Sequence, residues 1–299
     1  MAVSLLFQVV HLNANDIGTD WLVVISCLAQ LADFSPGSSD EALNIASNLS
    51  RVGLFSASLK DDSLKLLTSS LIEHSNTKKT SRSVGVNSIT FGNELYLSTR
   101  KKLQDTKLIT KADDFRDLPV DLVLLVDVAI ENSQRFLCFG QEVMVHFSVQ
   151  ASTSTSGAIR TFSLDVLSYL ITSGIAVIGG EDKQNGYSGE KLNANELLAP
   201  LCDCISNTKF VDAAELGLAK LKQIVDDGYH LAAAWPTIIN ALSTVADGPR
   251  NNGDWGVCCT IAFGCLKLIV DGKNVRALGL PSVITLILTL RSYPYRFLE

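Results

Sequence analysis

The chain has 299 residues, enough for one large core, two domains or a repeat array. Apolar residues make up 47% and charged residues 19%, and mean hydropathy is +0.24, which excludes disorder over most of the length. The net charge of −6 comes with no basic stripe, since Lys78-Lys79 and Arg100-Lys101-Lys102 are isolated clusters, so nucleic acid is not expected as a partner.

Taken in chain order, the dominant signal is the 3.6-residue period. "MAVSLLFQVVHLNAND" lacks a basic leading region and a small-residue cleavage site, so it is not read as a signal peptide. Trp21, Val24, Ile25, Leu28 and Leu31 predict an amphipathic helix. "DFSPGSSDE" (33–41) breaks it, with Ser39 or Asp40 available to cap the next helix. Asn48-Leu49-Ser50 has the form of a glycosylation sequon and is read as chance. Leu64, Leu67, Leu71 and Ile72 predict another helix, and the polar stretch 75–88 marks a linker. Leu122, Leu125, Val126, Ala129 and Ile130 repeat the pattern, as do Ile159, Phe162, Leu167, Leu170 and Ile171. "GIAVIGG" (174–180) reads either as a strand or as a helix end before a glycine loop. Helical faces follow at Leu197, Leu198, Leu201 and Ile205, then at Leu218, Leu221, Ile224 and Val225, and last at Ile261, Leu266, Ile269 and Val270. Polar loops are predicted over 179–193 and 247–254, with Asp254 as an N-cap. "LGLPSVITLILTL" (278–290) is too short and too interrupted to span a membrane.

This pattern predicts an all-α fold, a HEAT or armadillo-like solenoid of antiparallel helix pairs, about six or seven in number. Its expected divisions are helical repeats over 1–75, a polar linker over 76–92 and further repeats over 93–299, as one continuous solenoid. The seven cysteines, mostly in apolar helical stretches, read as the reduced, buried thiols of a cytosolic protein.

The residues carry no catalytic motif. His11, His74, His146 and His230 are scattered, without paired spacing for a metal. Cys202 and Cys204 lie two apart, which on a helix turns them to different faces, and Cys258-Cys259 are adjacent; both pairs read as packing. The glycines of 179–193 match no phosphate-binding loop, and no nucleophile elbow exists. Asp113, Asp114 and Asp117 read as an acidic helix start or a solvated loop. Trp21, Trp235 and Trp255 are expected at helix starts, cementing repeat junctions. No enzyme, cofactor or metal is expected.

Three ordered blocks carry a family resemblance. "AAWPTIINAL" followed by "WGVCCTIAFGCLKLIVDG" resembles the C-terminal repeats of the large Arf-regulator superfamily, through Trp235, Trp255, Ala262-Phe263, Leu266, Ile269-Val270 and Asp271. "IENSQRFLCFGQEVMVHF" and "IRTFSLDVLSYL" resemble an earlier run of that family, through Arg135, His146-Phe147, Ile159-Arg160, Leu164-Asp165 and Leu167. Phe139 stands where the family carries tryptophan, and Ser163 where alanine is usual. "WLVVISCLAQL", which opens on Trp21, and the stretch 48–75 are similar to the segment upstream of these in the Mon-two proteins, relatives of the BIG-type Arf guanine-nucleotide exchange factors.

The resemblance implies a non-catalytic scaffold, peripheral on trans-Golgi or endosomal membranes, acting in vesicle traffic and protein sorting with protein partners of that machinery. Mon-two proteins lack the exchange domain and are much longer, so the chain is read as a fragment of a longer protein, part of a gene model or a divergent short form. Two alternatives remain: a regulatory C-terminal segment of a BIG-type exchange factor, and a HEAT or armadillo adaptor outside trafficking. No polybasic patch is present, so membrane association is expected to be indirect.

Overall fold

Helices are what this sequence builds, and their ends follow local chemistry. In the structure, a computed structural model, residues 2–33, 45, 47–77, 97, 99, 101–102, 104, 118–179, 193–226, 231, 233–247, 255–271, 283–285 and 287–289 are described. Eleven α-helices lie among them: α1 (Ala2–Asn13), α2 (Trp21–Asp33), α3 (Val52–Ser56), α4 (Asp61–Thr77), α5 (Val120–Glu131), α6 (Phe136–Thr153), α7 (Gly157–Gly179), α8 (Ala194–Asn207), α9 (Val211–Asp226), α10 (Trp235–Ala246) and α11 (Trp255–Asp271). No strand occurs among the described residues. None of their helices is long and apolar enough to cross a membrane.

α8 opens with a capping box: the Asn193 side chain accepts the Glu196 N–H at 3.0 Å, and the Glu196 carboxylate accepts the Asn193 N–H at 2.9 Å. α10 opens on Trp235 with Pro236 in its first turn, where the missing proline N–H costs nothing. α5 closes on Asn132, whose Nδ2 donates to the Val128 carbonyl at 2.8 Å. The two readings of 174–180 are resolved in favour of helix, since α7 runs through to Gly179. β-branched residues lose only a few tenths of a kcal/mol each in a helix, too little to break one already running. The cap at Ser39 or Asp40, the acidic cluster 113–117, His230, the loop 181–192 and the cap at Asp254 lie outside the described residues. So does most of the polar linker, although α4 runs on to Thr77 within it.

The chain divides into two compact units, Met1–His146 and Phe147–Glu299, with the division inside α6. In unit 1, α2 packs on α4 and α5, and α5 also receives α3 and α4. The polar contacts give the directions. Gly53 meets Asp127 and Ser56 meets Asn132, so α3 runs parallel to α5. His74 near the end of α4 meets Asp121 at the start of α5, so those two are antiparallel. α5 departs from the one-faced helix that its period predicts: every residue from Val120 to Ala129 is buried. It is a central helix, enclosed on all sides.

In unit 2, α7 packs on α8 and α9, α8 on α9 and α10, α9 on α11, and α10 on α11. Arg160 reaches Asp212, and further along both helices Asp165 reaches Lys220, so α7 and α9 are parallel. The Asn195–Thr237 hydrogen bond joins the starts of α8 and α10, which also run side by side in parallel. Cys258 Sγ approaches the Val211 carbonyl at 3.8 Å, aligning the starts of α9 and α11. Cys259 near the start of α11 meets the Val245 carbonyl near the end of α10, so these two are antiparallel. Two layers result, α8–α10 and α7–α9–α11, with opposite chain direction. Gly217 permits the close approach of α9 to α8, since a Cβ there would lie 2.8 Å from Ile205 Cγ1.

Candidate functional site

The motif residues sit at helix junctions rather than around one pocket. Arg135, just before α6, sends Nε and Nη2 to Asp61 Oδ1 at 3.0 and 2.5 Å, tying it to the first turn of α4. Arg160 performs the same task in unit 2. Its Nε and Nη2 reach Asp212 Oδ2 at 3.1 and 2.5 Å, its Nη1 donates to the Ser154 carbonyl at 2.9 Å, and its guanidinium lies 4.1 Å from the Phe210 ring centre. Each arginine stands at a helix start, where a cation is unfavourable beside the helix dipole, and each is neutralised by an aspartate in the first turn of a neighbouring helix. Asp165 pairs with Lys220 at 2.7 Å, and both side chains are nearly buried.

The remaining motif residues are packing groups. Trp21 and Trp235 are buried at helix starts, whereas Trp255, also at a helix start, is half-buried. Phe147, Leu164 and Leu266 are fully buried, and Ile159 and Phe263 are half-buried. Phe147 meets Phe162 edge-on at 6.4 Å. Asp271 closes α11. Phe139 is buried and packs edge-on against Phe136. Ser163 is fully buried, and its hydroxyl has no hydrogen-bond partner among the described residues. Val270, placed on the apolar face by its spacing, is exposed, because it lies a helical step beyond the Ile269 contact line.

The groups that sequence reasoning missed are the charges inside α5. Asp127 is 1% exposed, yet each of its carboxylate oxygens has a partner. Oδ2 accepts the Gly53 N–H at 2.9 Å, and Oδ1 pairs with Lys102, which also reaches Glu131 Oε1 at 2.6 Å. A Cβ at residue 53 would collide with the Asp127 carboxylate, so glycine is required for that backbone approach. Burial pushes the Asp127 carboxyl up, against the opposing pull of Lys102. Burial works against the Lys102 charge, but the hydrogen bonds and charges of Asp127 and Glu131 outweigh it and raise its pKa. Asp121 pairs with His74 at 3.1 Å. A readable signal existed: "VDLVLLVDVAI" is apolar all round except for two aspartates, and a helix of that kind must be central and must supply partners for its charges.

The chemistry available to these groups is limited. The thiols of Cys202 and Cys204 are pushed up to about 12 by burial, and those of Cys258 and Cys265 to about 11, so they are protonated at neutral pH and poor nucleophiles. Cys27 departs from the expected burial: it is exposed, on the side of α2 away from Ile25 and Leu28. Cys138 and Cys259 are half-buried. Among the described residues, no group of three His, Cys, Asp or Glu side chains could hold a metal ion. No family model matches the chain, and no curated protein matches it.

Proposed function

We propose that the chain is a non-catalytic, helical-repeat scaffold of the HEAT type, working in vesicle traffic and protein sorting as the Mon-two proteins do. One observation supports the solenoid reading most directly. In the last four helices of unit 2 the two layers advance with helix starts about 40 residues apart, Ala194 to Trp235 in one layer and Val211 to Trp255 in the other, within the range of such repeats; the step from Gly157 to Val211, which spans residues 181–192, is longer. The trafficking part rests on the order of the three sequence blocks. Residues those blocks share with the family, such as Arg135, Arg160, Asp165 and Trp235, are engaged in helix–helix packing, as expected where a motif encodes a repeat architecture.

The test is the location of the tagged parent protein in its own cells, scored against a trans-Golgi marker. Overlap with the marker, and recovery of coat or sorting proteins with the tagged chain, is the expected result. A diffuse or nuclear signal would overturn the trafficking role.

A further inference from the structure

Three titratable side chains from three helices meet the core of unit 1. His74 on α4, Asp121 on α5 and His146 on α6 are 4%, 4% and 5% exposed. Asp121 is engaged on both oxygens: Oδ2 lies 3.1 Å from His74 Nδ1, and Oδ1 accepts the Leu122 N–H at 3.0 Å. From α5, Asp121 is the charged group that acts on the His146 ring; from α4, His74 stands on that same carboxylate. On α6 itself, Val143, Met144 and Phe147 around His146 are fully buried. A charge placed on the His146 ring would meet a carboxylate whose two oxygens already hold His74 and the Leu122 N–H.

We propose that His146 is an acid-sensitive latch of unit 1: uptake of one proton from solution on its buried ring is incompatible with the closed packing and loosens the first part of α6 from α4 and α5. Two polar contacts tie this part of α6 to α4. Ser69 donates to Glu142 at 2.9 Å, and Cys138 Sγ approaches the Asp61 carbonyl at 3.4 Å.

The direction of the effect follows from burial. Burial pushes His146 down from 6.5 to about 4, and the Asp121 charge only partly offsets this. The closed form therefore prefers the neutral ring, while the open form takes up its proton at the ordinary value. Stability from His146 is full above pH 6.5, is lost as pH falls through the interval from 6.5 to about 4, and levels off below. Within that interval the opening equilibrium shifts about tenfold per pH unit. Asp127, raised by burial, contributes with the opposite sign, so the effect of His146 is isolated by comparison with a His146→Gln variant.

The experiment uses the full chain. Histidine ring signals are titrated by NMR, and urea unfolding is followed for the wild type and His146→Gln at about pH 7 and about pH 5. We expect the His146 ring to stay neutral at about pH 5, and the wild-type opening constant to gain a factor of roughly twenty that the variant lacks. Asp121→Asn should move the His146 titration lower still. A His146 ring that titrates near 6.5, or a variant that keeps the wild-type pH dependence, overturns the latch. If His146→Gln does not fold, the ring titration of the unaltered protein decides alone.

Discussion

Unit 1 and unit 2 are both helical, and a charge at the centre of a helix in unit 1 is held differently from one at a helix start in unit 2. Unit 1 places Asp121 and Asp127 on a helix enclosed on all sides, so each carboxylate depends on a partner brought from far along the chain. In unit 2 the Asp165–Lys220 pair is nearly buried too, but the Arg160–Asp212 pair lies at the margin of its helix contact: Asp212 is half exposed, and the Arg160 guanidinium has a carbonyl and a ring as further neighbours. The first arrangement makes the core sensitive to the loss of any one charge. The second leaves water to take over when a partner is removed. Similar helices can thus carry very different electrostatic sensitivity, depending on whether a charged residue lies at the centre or the edge of a contact.

The largest test of this contrast is Lys102→Met. It leaves the Asp127 charge buried with the Gly53 N–H alone, and should destabilise unit 1 by about 3–5 kcal/mol in urea unfolding. In an Asp127→Asn background the same substitution should cost under about 1 kcal/mol, because no buried carboxylate is left uncompensated. Equal costs in the two backgrounds would show that Asp127 does not need Lys102. A smaller effect, of opposite sign, is expected from Ser163→Ala in unit 2. Removing a fully buried hydroxyl without a partner should stabilise by about 1 kcal/mol, read as a raised urea midpoint. A loss of stability would place a hydrogen bond on that hydroxyl. The smallest effect belongs to Asp212→Asn, which should cost under about 1 kcal/mol, because the carboxylate is half exposed. A cost as large as that of Lys102→Met would erase the distinction between the two pairs.

Much of the fold was legible in the residues. The apolar periods at Trp21–Leu28, Leu64–Leu71, Leu197–Ile205 and Leu218–Val225 match helices whose faces are largely buried, and the three tryptophans stand at helix starts. The reading was weaker where one face could not be told from all faces. α5 was taken as amphipathic on the strength of Leu122, Leu125, Val126, Ala129 and Ile130, although Val123, Leu124 and Val128 between them are buried as well. Cys27, expected to be buried, and Val270, expected on the apolar face, are exposed for a related reason: an apolar residue type does not say which way its side of the helix turns.

What the sequence by itself determined is the local part of this protein: helices from period, the tryptophans at three of their starts, and a chain too apolar to stay unfolded. These follow from interactions within a few residues, which composition and spacing record. Only the tertiary structure decided that α5 lies at the centre of unit 1, that Lys102 and Gly53 serve Asp127, that Arg135 and Arg160 each find a first-turn aspartate on another helix, and that His146 shares a core with His74 and Asp121. Such pairings join residues distant in the chain. Their energies depend on burial and on the partners that packing supplies, and neither is written in the spacing of the residues themselves.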